Sequence, residues 1–324
     1  MYKGFWKTLP KPFFALAPMA DVTDAAFRKI IAKYGKPDVM WTEFVSCDGL
    51  MSEGKKNLLI DLKYSEKERP IVAQIFGANP KHFYDTALLI KDLGFDGIDI
   101  NMGCPDRAVV KQGAGTGLIK TPKLARDIIF ETKRGAERGK KKIPVSVKTR
   151  IGFSKNELSS WLPYILECEP AAVTIHFRTK KEMSKAPARW NLALEAREIM
   201  EKYKSSALLI GNGDVESLED AEEKAKKYGV DGVMIGRGIF GDPFCFNKEK
   251  SMEDLPLKKR LKIMLEHTKT FEKMYKEKKN FNIMKKHFKA YVSGFPDAKE
   301  LRIKLMETKN AEEVENLLKK KGWI

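Results

Sequence analysis

Short apolar runs alternate with longer amphipathic ones through the first three-quarters of the chain. The short runs fall at residues 13–17, 38–43, 71–76, 98–101, 144–149, 171–176, 207–210 and 231–235. They are mostly β-branched and apolar on both faces, the mark of strands covered on two sides in a parallel sheet. Between them, helical spacing recurs at 25–34, 80–93, 121–138, 155–167, 190–202 and 217–228, the first behind a capping Thr23/Asp24 pair. Eight strands, seven of them followed by a helical stretch, predict an α/β chain whose fold is a (β/α)8 TIM barrel. A doubly wound open sheet is the alternative. No G-x-G-x-x-G follows the first strand, as a dinucleotide fold requires. Past residue 246 the strand signals stop. Leu257, Leu261, Met264, Leu265, Thr268 and Phe271 share one helical face, and Pro296 and Asn310 mark later breaks. The expected division is a barrel domain at 1–246 and a small all-α C-terminal domain at 247–324.

Composition changes this picture in one respect. Hydrophobic residues at 43% and charged residues at 32% suit a water-soluble globular chain, and no run is long enough for a bilayer. The first residues lack a signal peptide's apolar core, and Cys47, Cys104, Cys168 and Cys245 show neither C-x-x-C nor zinc spacing. A cytoplasmic protein with reduced thiols, no metal site and no stable protein partner is expected. The charge stands out: 61 basic against 44 acidic residues, a net +17. Such an excess points to an anionic partner, above all nucleic acid. A lysine-rich thermophile chain, poor in glutamine, is the other explanation. Residues 258–289 concentrate twelve Lys/Arg against three Glu, with Phe271, Tyr275, Phe281 and Phe288 among them. That pattern fits a bundle with a solvated lysine face and a nucleic-acid surface equally well.

In a barrel, chemistry sits where the strands end. Those positions hold Pro18-Met19-Ala20, Glu43, Gln74, Asn101 with Cys104, Lys148 with Arg150, His176 with Arg178, Asn212-Gly213-Asp214 and Gly236-Arg237. The glycines and guanidinium of the last two loops resemble the phosphate site such barrels build there. Gln74 and Asn101 carry amides suited to the edge of a heterocycle. Lys148 is a cation placed to hold an anionic reduced ring. Cys104, between Gly103 and Pro105, would face the ligand as acid or nucleophile, although a free cysteine alone is more often a small buried hydrophobe. The glycine-rich stretch 111–118 behind it reads as a mobile gate. Its glycines do not open a helix directly after a strand, which weakens a phosphate-loop reading.

With these motifs in order, the chain resembles the tRNA-dihydrouridine synthases. The shared marks are Leu16-Ala17-Pro18-Met19-Ala20 with Thr23-Asp24, Thr42-Glu43, Gln74-Ile75-Phe76-Gly77, Asn101-Met102-Gly103-Cys104-Pro105, Val147-Lys148-Thr149-Arg150-Ile151-Gly152, His176-x-Arg178-Thr179, Gly211-Asn212-Gly213-Asp214 and Gly236-Arg237-Gly238. The resemblance implies an FMN-binding barrel that reduces the C5=C6 bond of a uridine in RNA, with tRNA the expected class and NADPH reloading the flavin. By the same resemblance, Pro18, Met19, Ala20, Gln74, Lys148, His176, Asn212, Gly213, Asp214, Gly236 and Arg237 hold the cofactor. Asn101 and Arg178 meet the substrate, and Cys104 gives the proton to C5. A neutral thiol suits that task, since cysteine's ordinary pKa is about 8.5. The target base must leave its stack to reach such a rim. The stretch 180–190 departs from the family: Trp190 remains, but the family's tyrosine and aspartate are absent. Which uridine is met stays open. Two other readings are carried: an FMN-dependent dehydrogenase of a free pyrimidine, of dihydroorotate or dihydropyrimidine type, and an idle RNA-binding protein on the same barrel.

Overall fold

The computed structural model describes residues 2–324. Among the described residues, nine parallel strands occur: β1 (Phe13–Leu16), β2 (Met40–Trp41), β3 (Val45–Ser46), β4 (Ile71–Phe76), β5 (Gly97–Met102), β6 (Val145–Gly152), β7 (Ala172–Thr179), β8 (Leu208–Asn212) and β9 (Gly232–Ile235). They pair in the order β1-β9-β8-β7-β6-β5-β4-β2, with β3 also on β4. A parallel bridge from Ala15 to Val39 joins the two ends. The result is the expected closed (β/α)8 barrel. Helices α1 (Ala25–Tyr34), α4 (Pro80–Asp92), α6 (Pro122–Ala136), α7 (Leu158–Leu166), α8 (Leu192–Lys202) and α9 (Leu218–Tyr228) follow successive barrel strands, with short α2 (Cys47–Leu50), α3 (Lys55–Leu58) and α5 (Arg107–Lys111) in the loops.

Because side chains alternate along a strand, each strand feeds two cores. Phe14, Leu16, Ile71, Ile75, Ile98, Ile100, Val147, Ile175 and Val233 face the helices in one continuous cluster. Phe13, Ala15, Trp41, Val72, Ala172, Leu208, Ile210 and Met234 fill the interior, where Trp6 packs against Phe13 and Trp41. The upper interior is polar: Gln74, Asp99, Asn101, Lys148, His176 and Asn212 sit on neighbouring strands in register.

The second predicted strand is shorter than expected, two residues plus the Val39 bridge. Beyond it Thr42 stays tied to β4, its N–H donating to the Val72 carbonyl at 3.0 Å and its hydroxyl accepting from the Gln74 N–H at 3.2 Å, and pairing with β4 resumes at β3. β6 and β7 run about three residues past their predicted ends into polar sequence, to Gly152 and Thr179.

The C-terminal helices α10 (Leu257–Tyr275), α11 (Ile283–Tyr291), α12 (Ala298–Glu307) and α13 (Ala311–Lys320) form the expected bundle. Their core is shared with the outer face of α1: Ala25, Ala26 and Ile30 belong to the same cluster as Met264, Phe271 and Phe288. Polar ties reinforce the seam. The Ala25 N–H donates to the Tyr275 hydroxyl at 2.9 Å, and Lys279 bridges Glu43 and Asp61 at 2.8 and 2.7 Å.

Candidate active site

A cavity of about 630 Å³ opens at the C-terminal ends of the strands. Of the residues singled out from the sequence, Pro18, Met19, Gln74, Asn101, Cys104, Lys148, His176, Arg178, Asn212, Gly213, Asp214, Gly236 and Arg237 all line it. Ala20 does not. It is exposed at the apex of the turn after β1, where the Met19 N–H donates to the Thr23 hydroxyl at 2.9 Å and the Asp21 N–H to Glu43 at 2.6 Å. That tight turn sets Ala20 at its apex, beside the lining residues Pro18 and Met19.

The amides are held by a relay that starts at Asp99, fully buried inside the barrel. Its carboxylate accepts from Ser146 at 2.6 Å and from Gln74 Nε2 at 2.7 Å. Gln74 Oε1 therefore accepts from Asn101 Nδ2 at 3.0 Å. Asn101 Oδ1 in turn accepts from the backbone N–H groups of Gly103 and Cys104 at 3.0 and 2.8 Å. Both amides are thus oriented, and each keeps a second N–H for a ligand. Burial pushes the Asp99 carboxyl up to about 6.

Cys104 sits at the end of this relay. Its carbonyl accepts from Thr116 twice, from the N–H and the hydroxyl, both at 3.0 Å. Gly115 adopts φ +56°, and a Cβ there would lie 2.7 Å from that carbonyl oxygen. Of the stretch expected to be a mobile gate, Gly115, Thr116 and Leu118 are buried and buttress Cys104, while Lys111 and Gln112 are exposed. Burial raises the thiol pKa above its ordinary value, a shift that Lys148 and Arg150 oppose, so the group stays protonated at neutral pH.

Lys148 donates to Asn212 Oδ1 at 3.0 Å, while Asn212 Nδ2 donates to the Met234 carbonyl at 2.8 Å. Asn212 orients the lysine, its own amide being occupied at both ends. Burial, then the neighbouring Arg150, lowers Lys148 to about 8. His176 is held neutral by burial and by four surrounding cations, with its pKa well below the ordinary value. Its Nε2 lies 3.1 Å from Arg178 and is assigned as the acceptor.

Asp214 organises the far end. It pairs with Arg178, accepts from the Ala188 N–H at 2.9 Å, and takes Arg237 at 2.9 Å. Burial alone would raise its pKa; the hydrogen bonds from Arg178 and Ala188 outweigh this and hold it low. A Cβ at Gly236 would meet Ala17 and Met19 at ordinary contact distance, both 3.7 Å away. The exposed Arg237 guanidinium and the two glycine loops have the chemistry of a phosphate site.

Lining residues not singled out from the sequence include Phe44, Ser184, Val215 and Glu216. Phe44 had no polar group to mark it, and Ser184 lies in the stretch that departs from the family pattern. Arg150 was noted at a strand end without a role; its three carbonyl partners are not visible in a sequence. Asp99 was not singled out from the sequence; barrel closure shows it pointing inward.

Four cations around a buried amide relay make this a barrel enzyme with a site for an anionic ligand. The chain belongs to the dihydrouridine synthase (Dus) family, whose pattern it matches over residues 15–322. It is 42% identical over 321 residues to a probable tRNA-dihydrouridine synthase of Staphylococcus aureus, covering 98% of this chain and 95% of that protein. It is 41% identical to probable tRNA-dihydrouridine synthase 2 of Bacillus subtilis, covering 98% and 96%. Among solved structures, a 6-hydroxypseudooxynicotine amine oxidase from Pseudomonas geniculata is similar in fold at a TM-score of 0.55 and 13% identity, covering 76% of this chain. Histamine dehydrogenase from Rhizobium is similar at 0.54 and 16%, covering 79%. This chain spans about half of each of those two longer chains, 48% in both cases.

Proposed function

We propose that the chain is an FMN-dependent oxidoreductase that reduces the C5=C6 bond of a uridine in tRNA to 5,6-dihydrouridine, in the cytoplasm and with NADPH as reductant. The observation that carries this reading is the convergence of Cys104, Asn101 and Lys148 on one cationic cavity in a dihydrouridine synthase. Names of relatives supply the substrate class.

The donor set fits a flavin mononucleotide. Met19, Gln74, Lys148 and His176 would surround its ring, with Lys148 set against negative charge at the ring edge. Gly213, Gly236 and Arg237 would take its phosphate. When bound, the flavin supplies the hydride for C6 of the uracil. The protein's part is to place the base and complete the addition. Asn101 offers its free amide N–H to the uracil edge, and Arg178 lies across the same cavity. Cys104 gives its thiol proton to C5, quenching the charge that hydride addition leaves. A thiol kept neutral by burial can give a proton at pH 7, which a thiolate cannot. Residues 1–246 carry this chemistry, and the basic helices of 247–324 hold the RNA.

The test is mass spectrometry of tRNA from cells with and without the gene, followed by incubation of the deficient tRNA with purified protein and NADPH. A uridine that gains two hydrogens only in the presence of the protein is the expected result. Unchanged tRNA with reduction of a free pyrimidine would replace this reading by the free-base dehydrogenase.

A further inference from the structure

Arg150 is 6% exposed at the cavity wall, and two of its three guanidinium nitrogens are bonded to backbone carbonyls. Nε donates to the Gly103 carbonyl at 2.8 Å, one peptide before Cys104. Nη1 donates to the carbonyls of Thr179 at 3.0 Å and Met183 at 2.8 Å, in the segment that departs from the family pattern. Just past Arg150, which pairs in register with His176, β7 carries one extra residue before Thr179 meets Gly152. The segment it grips is itself fixed: Glu182 accepts from the Thr179 N–H and hydroxyl at 2.7 and 2.9 Å and pairs with Arg189 at 2.9 Å.

We propose that Arg150 is the positioning residue for the proton donor: it locks the Cys104 loop to the 179–183 segment and so fixes where the thiol stands over the substrate. This rests on the role proposed above for Cys104. The Cys104 peptide is held on three sides, by Asn101 at its N–H, by Thr116 at its carbonyl and by Arg150 through Gly103. The first two ties are local to the loop. Arg150 refers it to the segment after β7, on the other side of its own strand. A lysine in its place keeps the charge but cannot reach three carbonyls in one plane.

The test measures alkylation of Cys104 by iodoacetamide across pH, read at the Cys104 peptide by mass spectrometry, in flavin-loaded wild type, Arg150→Lys and Arg150→Met. Freeing the loop raises the plateau rate at high pH in both variants. Losing the cation moves the midpoint to higher pH in Arg150→Met only. In steady state, kcat for uridine reduction falls by about 100-fold in Arg150→Met, the scale of a misplaced reacting group, with little change in KM for tRNA. A plateau unchanged in both variants overturns the proposal, as does a loss confined to KM. Should Arg150→Met fail to fold, Arg150→Lys carries the plateau test alone. Alkylation reads the thiol's placement directly, so wild type that makes no dihydrouridine would refute the proposed function and not this lock.

Discussion

At the scale of single residues, the site separates groups that hold charge from groups that must not. Lys148, Arg150, Arg178 and Arg237 line one cavity, and their combined field and its burial keep His176 neutral and leave it a hydrogen-bonding group. Cys104 meets the opposite balance: burial raises its pKa while Lys148 and Arg150 pull against that rise. The thiol is therefore a reservoir of one proton, held in place by its own backbone. Replacing it by alanine removes only the proton and leaves the peptide ties to Asn101 and Thr116. Cys104→Ala is expected to retain bound flavin, measured by absorbance, and to lose uridine reduction by a factor of about 100 or more, the usual worth of a general acid. Dihydrouridine at the wild-type rate from this variant would remove Cys104 from the reaction.

At the scale of elements, the N-terminus of α1 carries a second buried titration. Asp24 caps the helix, accepting from the Phe27 N–H at 2.9 Å, and its other oxygen is buried without a partner. Burial raises its carboxyl to about 7, with Glu43 adding to the rise and Lys279 and Arg28 opposing it. The folded state thus binds this proton more tightly than the unfolded one. Its stabilising effect is complete below pH of about 4 and is lost as pH rises through about 7. An asparagine at this position would keep the cap oxygen without the charge. The stability of Asp24→Asn relative to wild type is expected to climb between those two pH values, by on the order of 4 kcal/mol, and then level off. Urea denaturation at pH 5 and pH 8 reads the difference; a pH-independent offset would refute the assignment.

The same helix shows what a sequence can convey. Its cap, its length and its apolar face are local and were all legible, as were the eight apolar runs of the barrel. Strand ends were not, because β6 and β7 continue into Lys148-Thr149-Arg150 and His176-Phe177-Arg178, where polar residues face inward over the cavity. The site was legible as a set of strand-end residues, since barrel closure brings all strand ends to one rim. Its wiring was not. Asp99 reaches Gln74 from the next strand and Asp214 reaches Arg178 thirty-six residues away, pairings that depend on register and that no local pattern encodes.

At the scale of the whole molecule, the basic tail is fastened beside the mouth of the cavity. Lys279 reaches from the turn after α10 to Glu43, whose neighbour Phe44 lines the site, and Lys286 of α11 lies 3.4 Å from Asp21 in the loop after β1. Lys258, Lys259, Lys262, Lys273, Lys286 and Lys289 remain exposed along α10 and α11 while Phe271, Tyr275 and Phe288 are buried in the bundle. Phe271, Tyr275 and Phe288 are therefore core, and the RNA contact proposed above would rest on the lysines. An interface of that kind reads phosphates, so its affinity depends on salt and little on sequence. Lys286 and Lys289 lie on the helix nearest the β1 loop, where RNA must pass if a flipped base is to enter. Lys286→Gln with Lys289→Gln is expected to weaken tRNA binding and to reduce the slope of log affinity against log salt by about one for each phosphate no longer neutralised. Titration of labelled tRNA from low to high salt measures that slope. An unchanged slope with unchanged affinity would place the RNA on another face of the molecule.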